Sequence, residues 1–204
     1  MVDDNPAVRD AIDGLLRSVR LTTRTFGSTE EFLAAKRPDV PGCIVLDVRL
    51  PGQSGLDFQR ELVKLGIRLP VVFITGHGDV PMSVRAIKEG AIEFLPKPFR
   101  DQDLLDAIYL GIERDRERRR SHAANAALRE QFDSLTARQR QIMVHVATGR
   151  PNKKIAADLK LSEVTVKVHR RHVMQKMRAK SLADLIRMAD RLAHADRTVS
   201  RPDT

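Results

Sequence analysis

The sequence predicts two folds in tandem: a doubly wound α/β domain on a parallel sheet, then an all-helical domain. Three observations carry this. Over residues 1–112, short apolar runs alternate with amphipathic stretches, whereas after Asp133 the pattern is helical only. The charge divides at the same place. Residues 1–110 carry 14 basic and 16 acidic side chains, 111–133 carry 6 and 5, and 134–204 carry 16 and 6, so the formal net charge of +9 resides in the last third. An excess of that size in so short a stretch points to a polyanion, most often nucleic acid.

The α/β part builds in chain order. Asn5-Pro6 places a cap before a proline at the first position of a helix. Leu21 to Phe26 reads as a short strand, and Ser28-Thr29-Glu30-Glu31 has capping-box spacing for a second helix. Cys43-Ile44-Val45-Leu46 and Val71-Val72-Phe73-Ile74 are continuous runs rich in β-branched residues, the mark of strands buried on both faces. Glu93-Phe94-Leu95 is a shorter run of the same kind. Between them, Ser54-Gly55 precedes a helix over Leu56 to Leu65, and Pro81 precedes one over Met82 to Lys88. Leu104, Leu105, Ile108 and Ile112 give helical spacing from Asp101 to about Arg120.

In the helical part, Thr136-Ala137-Arg138-Gln139 is a capping box, and that helix ends near Gly149-Arg150-Pro151. A short helix over Ile155 to Leu159 follows. Ser162 caps the next, with Glu163 favourable in its first turn. Ser181 opens a last helix with Leu182, Leu185, Ile186 and Ala189 as its inward stripe. Two helices joined by a tight turn, the second rich in Lys and Arg, predict a helix-turn-helix. At 100° per residue, Val166, Val173 and Met177 fall on its core face, and Lys167, Val168, Arg171, His172 and Gln175 on the opposite one. Such a helix fits the major groove, where Lys and Arg donate to guanine and an apolar group meets the thymine methyl.

Four strand ends gather the chemistry of the first part. Asp3-Asp4 follow Met1-Val2, Asp47 ends the second run, Thr75 the third, and Lys97 follows the last. In a doubly wound sheet ligands bind at the carboxyl ends of strands. Three carboxylates together call for a hard divalent cation, and a lysine with a hydroxyl suits phosphoryl oxygens. A phosphatase of the haloacid-dehalogenase type uses a similar set. Its second acid, two residues after the nucleophile, is here Arg49, which excludes that acid/base chemistry. The chain is therefore read as a non-enzyme. One cysteine, Cys43, excludes an internal disulfide and a Cys-based zinc site. His169 and His172 lack a third metal ligand. No apolar run reaches the ~18 residues that would span a bilayer. The start has no signal-peptide pattern, so the cytoplasm is the expected location.

These residues resemble a response-regulator receiver domain, flavodoxin-like in fold, over nearly all of 1–112. Val2-Asp3-Asp4, Leu46-Asp47-Val48-Arg49-Leu50-Pro51-Gly52-Gln53-Ser54-Gly55, Thr75-Gly76-His77-Gly78 and Lys97-Pro98-Phe99 carry the likeness. The run Gly78 to Ala86 resembles the FixJ-type subgroup in particular. The resemblance implies that Asp47 accepts a phosphoryl group from a sensor histidine kinase. It also implies that Asp4 binds Mg²⁺ directly, Asp3 acts through its water shell, and Arg49 lends its backbone carbonyl. Thr75 and Lys97 then contact phosphoryl oxygens, Phe94 is the switch aromatic, and Lys97-Pro98 is a cis peptide, a geometry that mainly proline permits.

Residues 134–190 resemble the LuxR/NarL-type DNA-binding domain through Leu135-Thr136-Ala137-Arg138, Gly149, Asn152-Lys153-Lys154-Ile155-Ala156, Leu161-Ser162, Thr165-Val166-Lys167-Val168-His169 and Lys176-Met177. Lys167, Val168 and Arg171 would read bases, and Lys154 and Thr165 would hold phosphates. Gln139 stands where that family usually has Glu, and a glutamine still serves the capping box.

The predicted organisation is a receiver over 1–112, a partly helical linker over 113–133, a helix-turn-helix domain over 134–192 and a tail over 193–204. Together they resemble a two-component transcription factor. Its partners would be a sensor kinase, double-stranded promoter DNA, RNA polymerase and, when phosphorylated, a second copy meeting through the surface of Val84 and Lys88. An RNA-binding antiterminator output is disfavoured by the Thr165 to His169 motif. The rival is a constitutive DNA-binding regulator whose receiver does not switch. Receivers begin with a five- or six-residue strand inside the sheet, and only Met1 and Val2 stand for it here. Losing it leaves ladder groups of two strands unpaired, at roughly 1–3 kcal/mol each. The expectation is that the natural start lies upstream, with Met1 standing where the family has valine, as when an internal GTG codon is taken as the start.

Overall fold

A computed structural model describes residues 1–76 and 79–199. His77 and Gly78 of the predicted strand-end motif, and residues 200–204 of the predicted tail, lie outside the described residues. The chain packs as two units, Met1–Arg119 and Arg120–Thr204.

The first unit is the expected doubly wound sheet. Its strands are β1 (Ile44–Asp47), β2 (Val71–Thr75) and β3 (Glu93–Pro96), all parallel in the order β1-β2-β3. β1 and β2 are buried at every position, as unbroken apolar runs require when helices cover both faces. Around them lie α1 (Pro6–Ser18), α2 (Thr29–Ala34), α3 (Gly55–Lys64), α4 (Val80–Lys88) and the first part of α5 (Asp101–Asp133). Phe32, Leu46, Phe58, Leu62 and Phe73 fill one side of the sheet, and Ile12, Leu16, Val72, Ile74, Leu104 and Ile108 fill the other.

The cap signals are realised as side-chain bonds. Asn5 Oδ1 accepts from the Ala7 amide at 3.0 Å, Ser28 Oγ from Glu31 at 3.2 Å, and Ser54 Oγ from Leu56 at 3.3 Å. Asp79 Oδ1 caps α4 through the Met82 amide at 2.7 Å.

The predicted strand over Leu21 to Phe26 is not formed as such. Phe26 alone makes a parallel bridge, and its partner is Val2, which bridges Leu46 on its other side. Val2 donates to Val45 O at 2.8 Å and accepts from the Asp47 amide at 2.9 Å, while the Asp3 amide reaches Phe26 O at 3.2 Å. A bridge one residue long pairs Phe26, and the segment before it has no regular structure, with Arg24 O accepting from the Met1 ammonium at 2.7 Å.

The second unit contains the distal part of α5 with α6 (Ala137–Ala147), α7 (Asn152–Leu159), α8 (Glu163–Lys176) and α9 (Leu182–Val199). Thr136 and Gln139 form the full capping box of α6, at 3.3 and 3.0 Å. The core gathers Leu135, Ile142, Met143, Ile155, Val166, Val173, Met177 and Leu185.

Three expectations change here. The stretch 113–133 is helical throughout, inside α5, because Leu128 is buried and Phe132 packs against the helical core, so its distal part has an apolar stripe. Of the predicted inward stripe, Leu185 and Ala189 pack in the helical core, joined by Met188 and Leu192, whereas Ile186 is not among its residues and Leu182 opens α9 41 % exposed. α9 runs on past Leu192 to Val199, so residues 193–199 of the expected tail are helical. Among the described residues no helix is long and apolar enough to cross a membrane.

Candidate functional site

Asp47 is the last residue of β1, paired with Ile74, and Thr75 ends β2 one residue further on, so topology alone brings the strand-end residues together. Lys97 follows β3, and its amide donates to Thr75 O at 2.7 Å, fixing its stem against β2. The Lys97 Nζ then lies 2.6 Å from Asp47 Oδ2 and 2.8 Å from Asp3 Oδ2. Asp3 and Thr75 are fully buried and Asp47 nearly so, while Asp4 is exposed at the mouth. The Lys97–Pro98 peptide is cis.

The two buried carboxylates are each aimed by a backbone bond. Asp47 Oδ1 accepts from the Arg49 amide at 2.9 Å, and Asp3 Oδ1 from the Asn5 amide at 2.9 Å. Gly55 closes the loop that follows β1, its amide donating to Val48 O at 2.8 Å. A Cβ at that position would stand 2.3 Å from Asp47 O, so only glycine allows this approach.

The electrostatics follow from burial and the lysine. Burial lifts the Asp3 carboxyl above the ordinary carboxylate range, against the pull of Lys97 and the Asn5 amide. Burial works against the Lys97 ammonium, but its bonds to Asp3 and Asp47 outweigh this and hold its pKa above the usual lysine value. One oxygen from each of Asp3, Asp4 and Asp47 lies within 4.8 Å of the others. Three hard oxygen donors at that spacing fit a small divalent cation such as Mg²⁺.

Phe94 lies in β3 with its ring turned inward, 6.3 Å from the ring of Phe73. Val84 and Lys88 are exposed on α4, Val84 by 46 %, with Ile87 beside them.

In the second unit, α7 and α8 are joined by Lys160 in the left-handed conformation, and the Leu161 amide returns to Ala156 O at 2.9 Å. Ser162 Oγ caps α8 through the Thr165 amide at 3.0 Å. Its hydroxyl lies 2.8 Å from Thr165 Oγ1, so the Thr165 hydroxyl serves the cap. Arg170 reaches Asn152 Oδ1 at 2.6 Å and ties α8 to α7. Val166, Val173 and Met177 are buried, whereas Lys167, Val168, Arg171, His172 and Gln175 are exposed together on the opposite face, with Lys154 exposed on α7.

Residues 1–109 match the family model for the response regulator receiver domain, and residues 133–189 match that for bacterial regulatory proteins of the luxR family. The chain belongs to the response-regulator family. It joins a receiver to a LuxR-type DNA-binding domain. Nodulation protein W of Bradyrhizobium diazoefficiens is 55 % identical over 192 residues, covering 94 % of this chain and 85 % of that protein. The transcriptional regulatory protein FixJ of Rhizobium meliloti is 43 % identical over 198 residues, 93 % of each chain. The low-resolution structure of the response regulator StyR superposes with a TM-score of 0.83 at 47 % identity, covering 93 % of this response regulator and 96 % of StyR.

The sequence reading missed Arg9. Its Nη1 donates to the Asp3 carbonyl at 2.7 Å, beside the acidic cluster. The available signal was a cation near the N-terminus of α1, where the helix dipole disfavours one.

Proposed function

We propose that this response regulator accepts a phosphoryl group on Asp47 from a sensor histidine kinase and in that state binds promoter DNA as a dimer. The observation that carries the reading is the Lys97 ammonium held between Asp47 and Asp3 at the carboxyl ends of the strands. Asp4 and Asp47 would hold Mg²⁺ with the Arg49 carbonyl, and Asp3 would act through its water. The ion supplies positive charge against the phosphoryl oxygens, which two or three carboxylates would otherwise repel.

An Asp47 oxygen forms the bond to phosphorus as the P–N bond of the kinase phosphohistidine breaks, and the imidazole leaves with the bonding pair. Lys97 then exchanges a carboxylate partner for a phosphoryl oxygen, and the Thr75 hydroxyl donates to another. Both residues are tied to β2 and β3, so their movement pulls on the strand that carries Phe94. The exposed α4 surface of Val84, Ile87 and Lys88 is where a second copy would dock. Two docked copies present two α8 helices to adjacent half-sites, with Lys167, Val168 and Arg171 at base edges and Lys154, Thr165, His172 and Gln175 around the backbone. RNA polymerase is the downstream partner, and the reaction places the chain in the cytoplasm with its kinase's catalytic part.

Incubation with a small-molecule phosphodonor and Mg²⁺, followed by trapping and peptide mass mapping, tests the first step. The label is expected on the peptide containing Asp47 and absent from the Asp47→Asn variant. Labelling of that variant to the same extent would overturn the assignment.

A further inference from the structure

Arg9 is half-buried at the end of the first turn of α1, and among the described residues it forms no ion pair. Its guanidinium spends its hydrogen bond on a backbone atom, the Asp3 carbonyl, at 2.7 Å. That carbonyl lies where the chain leaves the sheet: the Asp3 amide still pairs with Phe26 O, but the next residues turn into the Asn5 cap. No ladder partner is available to an end-of-strand carbonyl, and Arg9 takes that place. The acidic turn is thereby held from three sides: Phe26 behind it, the Asn5 amide on the Asp3 carboxylate, and Arg9 on the Asp3 carbonyl. Across the turn, the Gly27 amide donates to Glu31 Oε2 at 2.7 Å, and a Cβ on Gly27 would sit 3.6 Å from both Arg9 Nη1 and Glu31 Oε2, so the guanidinium lies close to the start of α2.

A cation here is disfavoured by the α1 dipole, and none of the first-turn residues of α1 is acidic. A residue that opposes its local propensity while ordering a functional loop is expected where function imposes it.

We infer that Arg9 is a positioning residue for the Asp3-Asp4 turn, setting the divalent-cation affinity of the site from behind rather than by touching the ion. The inference rests on the metal-dependent reading above. Hydrogen bonds to the ligating groups themselves govern metal affinity by about tenfold or more, and Arg9 acts on the same turn through its backbone, one step further from the ion. Its opposite would be a purely electrostatic role, in which the guanidinium repels the incoming cation and its removal tightens binding.

Calorimetric titration of the full chain with MgCl₂ alone, in wild type, Arg9→Gln and Arg9→Lys, tests it without any phosphoryl transfer. Hydrogen exchange on the metal-free proteins is followed in parallel. Arg9→Gln is expected to weaken Mg²⁺ binding about tenfold and to speed exchange at Asp3 to Arg9, leaving β2 protected. Arg9→Lys, which still donates to a carbonyl, is expected to recover most of the affinity. Unchanged affinity in Arg9→Gln, or tighter binding, would overturn the inference, as would a Lys variant no better than Gln. If Arg9→Gln loosens β2 as well, the Lys variant alone decides, by retaining or losing the wild-type affinity. Absence of Mg²⁺ binding in the wild type would instead overturn the metal reading itself.

Discussion

The Lys97 ammonium stands 2.6 Å from the Asp47 carboxylate, at the end of a strand neighbour twice removed in the sheet. Since it also neutralises Asp3, its removal leaves two carboxylates facing each other in a mostly buried pocket. Lys97→Met is expected to destabilise the receiver by about 1–3 kcal/mol. It is also expected to gain more from added Mg²⁺ than the wild type does, because the ion replaces the missing charge. Thermal melts with and without MgCl₂ check this, and an equal Mg²⁺ shift in both proteins would contradict it.

Gly55 carries a backbone constraint that no side-chain adjustment can relieve. The first atom added at Gly55→Ala would lie 2.3 Å from the carbonyl of Asp47 itself. The loop after β1 must move, and the carboxylate aimed by the Arg49 amide moves with it. A loss of about 1–3 kcal/mol in urea denaturation is expected, with Mg²⁺ binding reduced beyond detection at concentrations that saturate the wild type.

Asp115 predicts a pH dependence. It is fully buried in the first unit, accepting from the Gly42 amide at 3.1 Å, from Arg118 at 2.5 Å and from Arg119 at 2.7 Å, and Arg119 also pairs with Asp39. Burial pushes its carboxyl up, but the two guanidinium groups and the Gly42 amide outweigh that and hold it below the usual range. A carboxylate depressed in the folded state contributes stability above its unfolded pKa of about 3.9 and loses it as the pH falls through the lower folded value. Asp115→Asn is therefore expected to be less stable than the wild type at neutral pH, by about 1–3 kcal/mol. The gap should close only below about pH 4. A gap that persists unchanged in acid would contradict the ionic account.

The two proposed contact classes, base-reading side chains on α8 and the phosphate-holding Lys154 on α7, separate by salt. Arg171→Ala and Lys167→Ala are expected to cost about 1–3 kcal/mol and to relax sequence preference, as base contacts do. Lys154→Ala is expected to weaken binding to all duplexes alike and to lower the salt slope by about one. Fluorescence anisotropy over a salt series distinguishes the two patterns.

Much of this was legible from local signals. Asn5, Ser28, Ser54, Thr136 and Ser162 cap helices where the sequence placed them, since a cap is a bond within four residues of chain. The pocket was legible because strand ends in a parallel sheet converge whatever the loops do. Less legible were features set by pairing across the fold. Leu21 to Phe26 has strand composition, but pairing, not composition, makes a strand, and of these residues Phe26 alone forms a bridge, while Arg24 O merely accepts from the Met1 ammonium. Leu128 and Phe132 looked like linker residues until the core of the second unit gave them neighbours. Arg9 could not be assigned from sequence because its acceptor is a backbone carbonyl, which every residue carries.

The affinity of the full chain for a duplex selected from random DNA, measured before and after phosphorylation, tests the central claim most directly. Coupling between two sites in one protein commonly amounts to about 5–150-fold. The phosphorylated wild type is expected to bind at least about tenfold more tightly than the unphosphorylated chain, and Asp47→Asn is expected to show no gain. Equal affinity of the phosphorylated and unphosphorylated wild type would contradict the account and identify a constitutive DNA-binding regulator instead.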